Sequence, residues 1–593
     1  MLCLNNFIVV GITDDGLQNL VYEVLQAMGQ KVRKVNLVSS KIIIGFQDEN
    51  CLISNEDVCT LFHGIFLGET PSSALNKITS KSLKSFLGEY HYQGVSVLID
   101  RKEEKIYAVG DPGASRAVFY FVLPEIFVLT TDMELFKQLQ KVLGIQLKLD
   151  IITLYEIVVF NTFISRKTLY RSVNRLLPGE YIVIKTNRNA FEYEVNRYWD
   201  VMNEEIPNDA DRNTVHLLIR CIVNQLNKYC EELRDRKLIV PISGGLDSVL
   251  LLLLMLKTRK CRHVLAWHTN LGKRMELLLS KLIAIKVKVP LYIELYQEKW
   301  LRDIYIKLLG DMLKLIGYPR EGEASSPYLI LAQSMRSRFI DEKIFTVGGE
   351  VGDSIFGGHD YYKFFAIQLL LEKRFVEFLR FMKVLKRYNY YGWKFIPIRS
   401  ILLQLILRFY KLRYQYIKSK IRKISRIKNK KLIELITSYL TKLSSVIYDA
   451  PKHRYYHRIV ANMLIHKAPH ISYARVKAEE SQGIITYLPF ASRCVAEMVM
   501  KIPPECFYFP IGSRSLQRLV LKWLGAPPLL YLQPKSYFST PNQILKDHTI
   551  SSHMRKFVEN CWVNKYIKID KLSLHHLHNV FNICIMSSGI RSP

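Results

Sequence analysis

The chain has 593 residues, 49% of them apolar, with 84 Lys and Arg against 53 Asp and Glu for a formal net charge of +31. That length calls for two or more domains with sizeable cores and excludes a disordered or fibrous polymer. The longest apolar run, 249–256, falls far short of the roughly 20 residues that span a bilayer, and the first 15 residues lack a charged secretory start, so a cytoplasmic globular protein is expected.

Residues 1–202 alternate short apolar runs with turns, at 7–12, 41–46, 94–99, 105–109, 117–122, 126–130 and 180–185. The pattern predicts a β-rich sandwich with a few helices. The polar stretch 203–212 reads as a linker into a helix over 215–233. From 213 to 593 the texture changes, with predicted strands at 237–242, 263–268, 290–295 and 343–347 separated by helical periodicity. That order predicts an α/β fold with a doubly wound parallel sheet, whose ligands sit at the carboxyl ends of the strands. Ten cysteines are scattered along the chain with no C-x-x-C pair. Reduced thiols are expected, with neither a disulfide framework nor a zinc site.

The strand at 237–242 runs into Ser243-Gly244-Gly245-Leu246-Asp247-Ser248 and then an apolar helix. Adjacent glycines let backbone approach an anion, the two hydroxyls donate to phosphate oxygens, and the helix N-terminus adds positive dipole. Asp247 is placed to hold Mg2+. The Gly-Lys-Ser/Thr ending of a Walker loop is absent. A second glycine-rich segment, Gly348 to Gly358, follows the strand at 343–347 and carries Glu350 and Asp353. Asp353 completes a Mg2+ site with Asp247, and Glu350 is a candidate base.

These paired motifs resemble the asparagine synthetase family of the ATP-pyrophosphatase type, whose synthetase domain carries S-G-G-x-D-S and G-E-G-x-D-E-x-F-G-G. Asp111-Pro112-Gly113 through Tyr120 is similar to the family's D-P-x-G-x-x-P-L-Y-Y, and the segment ending Pro178-Gly179-Glu180-Tyr181 to its L-P-P-G. Residues 531–541, with Lys535, are similar to R-x-K-x-G-F-x-x-P. The resemblance implies a class II glutamine amidotransferase-like domain over 1–202, an Ntn-hydrolase-like αββα sandwich, and an ATP-pyrophosphatase domain over 213–593. It implies ATP and Mg2+ as cofactors, with ATP split to AMP and PPi while a carboxylate is adenylated. Ser243, Gly244, Gly245 and Ser248 would cradle PPi, Asp247 and Asp353 would hold the metal, and backbone near Ile242, Trp267, His268 and Gly348 would touch adenosine. Glu350 would take a proton from the attacking amine, and Lys535 would stabilise the developing oxyanion.

The departures from the family are specific. Glutamine-using members carry their nucleophile directly after the initiator Met, where this chain has Leu2, with Cys3 one residue late. The Asn-Gly dipeptide of the glutamine pocket is missing. Where the family shows G-V-E-x-R-x-P-F-L-D, residues 483–492 place Ile485, Tyr487 and Ser492, implying a larger, less polar acyl substrate. A degenerate amidotransferase domain beside an adenylating domain is most like the lasso-peptide macrolactam cyclases. The implied substrate is a precursor or core peptide, with a leader-binding protein and a transglutaminase-like protease as possible partners and no stable nucleic acid. The alternative is an asparagine synthetase or other small-molecule amide ligase using ammonia.

Residues 361–460 hold 24 Lys and Arg against 4 Asp and Glu. This basic helical insertion reads either as a docking surface for an acidic partner, nucleic acid or an anionic membrane face, or as a solvated helical excursion. Its aromatics, Tyr361, Tyr362, Phe364 and Phe365 among them, could stack on bases, and the insertion could help mould a peptide for closure.

Overall fold

The computed structural model describes all residues except 1, 4–5, 38–39, 68–91, 188–189, 204–211, 234–235, 259, 270–273, 318–325, 359–360, 388–397, 450–454, 533–547 and 588–593. Up to residue 197 the described strands form two antiparallel sheets. The strands are β1 (Leu2–Cys3), β2 (Ile8–Ile12), β3 (Lys31–Asn36), β4 (Lys41–Phe46), β5 (Leu52–Ser54), β6 (Val58–Phe66), β7 (Tyr92–Asp100), β8 (Lys105–Gly110), β9 (Phe119–Leu123), β10 (Ile126–Thr130), β11 (Asn174–Arg175), β12 (Glu180–Asn187) and β13 (Ala190–Arg197). One sheet runs β1-β6-β7-β8-β12-β13 with β5 beside β6, and the other runs β11-β9-β10-β2-β4-β3.

Period-2 geometry explains why β2 and β10 are buried throughout instead of alternating. Val9, Phe127 and Leu129 face the core between the sheets, while Ile8, Val10, Ile126 and Val128 face helices on the other side. That helical layer includes Asp15–Ala27, Met133–Leu139 and Ile151–Phe160. All seven expected strands are present. Sequence reading missed β1, β3, β5, β6, β11 and β13; of these β3 and β13 are edge strands rich in Lys, Arg and Glu, the charges that protect an edge from pairing further.

The second half is built on a parallel sheet, β16-β15-β14-β17-β18. Its strands are β14 (Leu238–Pro241), β15 (Val264–Thr269), β16 (Leu291–Glu294), β17 (Ile344–Val347) and β18 (Ile484–Tyr487). The chain winds from β14 outward through β15 to β16, then returns beside β14 as β17, so the switch point falls between β14 and β17. Leu238 and Val240 pack towards helices Arg212–Leu233 and Leu246–Lys257, while Ile239 packs with Leu331, Met335 and Phe339 on the opposite face. The strand β18 was unforeseen, because residues 483–492 were read as a motif on the substrate side and not as a strand.

The basic segment is not one solvated excursion. Helix Tyr361–Leu371 lies in the core of the second half, with Tyr361, Tyr362 and Phe365 buried and unavailable to bases. Helices Tyr410–Ile424 and Lys430–Leu443 cross to the first half and pack on Ile151–Phe160. There Tyr155 Oη donates to Ser425 Oγ at 2.6 Å and Lys420 Nζ to the Val159 carbonyl at 2.7 Å. Helix Phe375–Arg387 instead turns one face to solvent.

The expectation of reduced thiols also needs correction. Cys221 bonds to Cys494, Cys230 to Cys261 and Cys561 to Cys584. The first pair is 273 residues apart in sequence, so only the packing of helix Arg212–Leu233 against Arg493–Met500 brings it together. Among the described residues no helix is long and apolar enough to cross a membrane.

Candidate active site

The carboxyl ends of β14 and β17, adjacent in the sheet, bring the two glycine-rich motifs together. After β14, Gly244 turns with φ +71°, and a Cβ there would lie 2.7 Å from the Glu276 carbonyl oxygen, so only glycine fits. Ser243 Oγ receives the Gly245 N–H at 3.3 Å, and Ser248 Oγ donates to the Gly245 carbonyl at 3.2 Å, which ties the loop to the first turn of helix Leu246–Lys257. No side chain caps that helix. Its first N–H groups, two hydroxyls and a bare glycine turn form an anion cradle.

The second motif closes over the first. A Cβ on Gly352 would strike Asp247 Oδ1 at 2.3 Å, and Gly349 lies against the Asp247 backbone. Between Gly349 and Gly352 stands Val351 at φ +72°, a left-handed conformation that a β-branched residue adopts only when its surroundings enforce it. Asp247 and Asp353 are indeed brought together, but one guanidinium bridges them. Arg514 Nη1 lies 3.0 Å from Asp247 Oδ2, its Nη2 pairs with Asp353, and Gln517 Nε2 donates to Asp247 Oδ1 at 2.8 Å. A Cβ on Gly358 would fill the space this pair uses.

Two convergent carboxylates are the hard oxygen donors that Mg2+ takes alongside phosphate oxygens, so the residue types fit such an ion. Its arrival would require Arg514 to release them. Among the described residues no group of three or more His, Cys, Asp or Glu gathers at ligating distance. Protein groups alone therefore make an incomplete shell.

Glu350 sits at the same strand end with its carboxylate nearly buried. Arg475 Nη1 pairs with its Oε1 at 3.0 Å, while Oε2 is buried and has no hydrogen-bond partner among the described residues. Arg475 belongs to helix Ala468–Glu480 and is itself held by Glu479, whose carboxylate also receives the hydroxyls of Thr346 on β17 and Thr486 on β18. Burial pushes the Glu479 carboxyl above its ordinary range against the pull of Arg475. Sequence reading found neither Arg475, Glu479, Arg514 nor Gln517, because each comes from a helix far along the chain without glycine punctuation.

The next residue of that helix faces the sandwich. Glu480 Oε1 takes Arg116 Nη2 at 2.6 Å, and its Oε2 lies 3.2 Å from His63 Nε2. Burial alone would raise this carboxyl, but Arg116 and His63 outweigh it and bring it down to about 2. Gln93 adds a two-way amide contact with the Leu488 backbone, and Gly113 comes so close that a Cβ would lie 2.2 Å from the Ala491 carbonyl oxygen. Thus Arg116, within the 111–120 motif, serves the seam between the halves.

The remaining expected residues divide. Trp267 turns its ring into the core against Tyr292, its Nε1 donating to Ser334 Oγ at 3.2 Å. His268 is buried, with Nδ1 2.9 Å from the Ile242 carbonyl, and burial lowers its pKa. Ile242 also donates its N–H to the Trp267 carbonyl at 2.8 Å, and Gly348 donates to Tyr487 at 2.9 Å. At these positions the side chains build the sheet, and only backbone stands at its edge. Tyr487 is no substrate contact: it stacks on Tyr229 and donates to Gln225 Oε1 at 2.8 Å. Lys535 lies outside the described residues.

No curated protein matches the chain. Among solved structures, the allosteric regulatory enzyme of purine biosynthesis is similar over 49% of this chain and 80% of that chain, at 8% identity and a TM-score of 0.22. Glutamine phosphoribosylpyrophosphate amidotransferase from B. subtilis, complexed with ADP and GMP, is similar over 49% and 65%, at 9% identity and a TM-score of 0.21. Likenesses of this strength carry no weight for fold or function. The family model for asparagine synthase, by contrast, matches residues 233–576, which include both glycine-rich loops, Arg475 and Arg514. By that match, spanning more than half of its length, the chain belongs to the asparagine synthase family.

Proposed function

We propose that this member of a family of ATP-dependent amide ligases adenylates a side-chain carboxylate of a ribosomal core peptide and closes a macrolactam with the peptide's own amine, as lasso-type cyclases do. The observation that carries this is Oε2 of Glu350, buried at the strand end beside the Ser243–Ser248 loop with no partner among the described residues. A carboxylate oxygen kept dry and open needs an N–H to complete it, and an attacking amine supplies one.

Carboxylate oxygen is a poor leaving group, so the substrate carboxylate attacks the α-phosphorus of ATP, giving an acyl-adenylate and PPi. Ser243, Gly244, Gly245 and Ser248 hold the departing PPi through hydroxyls and N–H groups. Mg2+ would be held by Asp247 and Asp353 and would neutralise phosphate charge. Arg514, once released from the two aspartates, would be free to pair with phosphate oxygens. Glu350 accepts the proton of the attacking ammonium while Arg475 fixes its other oxygen, and Lys535 is assigned to the developing oxyanion. Residues 1–202 serve as scaffold, an Ntn-type sandwich without glutaminase chemistry, consistent with the use of its Arg116, Gln93 and His63 in the seam.

The reading is tested by supplying ATP, Mg2+ and a linear peptide with a free N-terminal amine and an internal Glu, with and without glutamine. A product lighter by one water, formed equally in both arms without glutamate release, supports it. Strict dependence on glutamine would overturn it. The three disulfides leave four of the ten cysteines outside a described pair. Thiol titration of freshly isolated, denatured protein separates ten free thiols from four.

A further inference from the structure

We propose that the outward face of helix Phe375–Arg387 docks this protein on an anionic lipid surface. The helix is 13 residues long and is anchored on one side by fully buried Phe381, which meets Phe365 at 4.9 Å and Tyr508 at 5.3 Å between ring centroids. The opposite side carries Phe375, Val376 and Leu379, exposed to 58%, 77% and 61%. At 100° per residue, Arg380, Lys383, Lys386 and Arg387 fall on that same side, and all four are exposed. The helix's only acid, Glu377, lies off this face, 3.4 Å from Arg374.

A second corner repeats the combination. Where helix Ile398–Leu407 turns into Tyr410–Ile424, Phe409 and Tyr410 are 66% and 54% exposed, and Lys411 is exposed beside them. Helices Phe375–Arg387 and Ile398–Leu407 both pack on Tyr361–Leu371.

The chemistry selects lipid. Large apolar side chains interspersed with long cations suit an interface where hydrocarbon takes the first and headgroup phosphates the second, the cations stretching towards the headgroups. An RNA would use the cations and leave Val376 and Leu379 in water. The surplus of 24 basic over 4 acidic residues in 361–460 supplies the long-range attraction, and no described helix crosses a bilayer, so attachment is peripheral.

Co-sedimentation of the full chain with phosphatidylcholine vesicles, with and without one third phosphatidylglycerol, tests this. Binding is expected only to the anionic vesicles and should weaken as salt rises. Lys383→Glu/Lys386→Glu should reduce it by at least about tenfold. Val376→Ser/Leu379→Ser should reduce it as well, with thermal melting unchanged in both variants. Equal binding to neutral vesicles, no binding to either, retention by the charge-reversed variant, or tighter binding to single-stranded RNA than to anionic vesicles at the same salt would each overturn it.

Discussion

Helix Ala468–Glu480 offers consecutive carboxylates to two buried charge clusters that differ in how the facing carboxylate is closed. Towards the sandwich, Glu480 is closed on both oxygens by Arg116 and His63. Towards the parallel sheet, Glu479 and Arg475 hold Glu350 on one oxygen and leave the other without a partner among the described residues. The closed cluster joins two halves, whereas the open one awaits a ligand. An unmatched buried polar atom is expensive, so its persistence beside a phosphate cradle marks chemistry more clearly than the number of charges does.

The comparison breaks most visibly at Glu350. Glu350→Gln should lower amide formation by about 10²–10⁴-fold while leaving ATP–PPi exchange near wild type. Equal loss of both activities would make Glu350 a structural acid. At the closed cluster, Glu480→Ala strands Arg116 and His63 and should cost about 3–5 kcal/mol in denaturant unfolding. The same cluster has an acid signature. Because the folded Glu480 carboxyl sits near 2, below its ordinary 4.5, its stabilisation is present above pH 4.5 and is lost as pH falls towards 2. Glu480→Gln should flatten the stability curve across that window; an unchanged slope would show that the seam does not titrate there.

Smaller effects sharpen the roles. Arg475→Met should lower the amide-forming kcat by about 10–100-fold, the worth of a charged hydrogen bond, with Arg475→Lys recovering part of it. If Lys rescues nothing while the melting temperature falls, Arg475 holds the helix and not the base. Tyr487→Phe should cost about 1 kcal/mol of stability with activity unchanged, since only its bond to Gln225 is lost. A large rise in KM instead would return Tyr487 to the substrate.

The site was legible where local backbone chemistry announces itself. Ser243–Gly245 and Gly348–Gly358 follow apolar strands and carry the glycines that close approach demands. The sandwich showed through its alternating and doubly buried strands. What stayed hidden depends on tertiary reach: Arg514 meets Asp247 from 267 residues away and Arg475 meets Glu350 from 125. The Cys221–Cys494 pair is hidden for the same reason. Tyr487 misled because a substitution within a family motif reads as a changed substrate contact, whereas β18 turns the ring into the core. The basic segment misled through composition, which does not reveal that the 410–424 and 430–443 helices brace the first half while the 375–387 helix faces outward.

The most direct test is the fate of oxygen. A linear peptide with a free amine and an internal Glu labelled with 18O in its side-chain carboxylate is incubated with the enzyme, Mg2+ and ATP, beside an arm containing labelled aspartate and ammonia. One 18O in AMP, with the peptide lighter by the corresponding water, is the expected result. Label in AMP only in the aspartate arm, with asparagine formed, or release of ADP and phosphate, would contradict it.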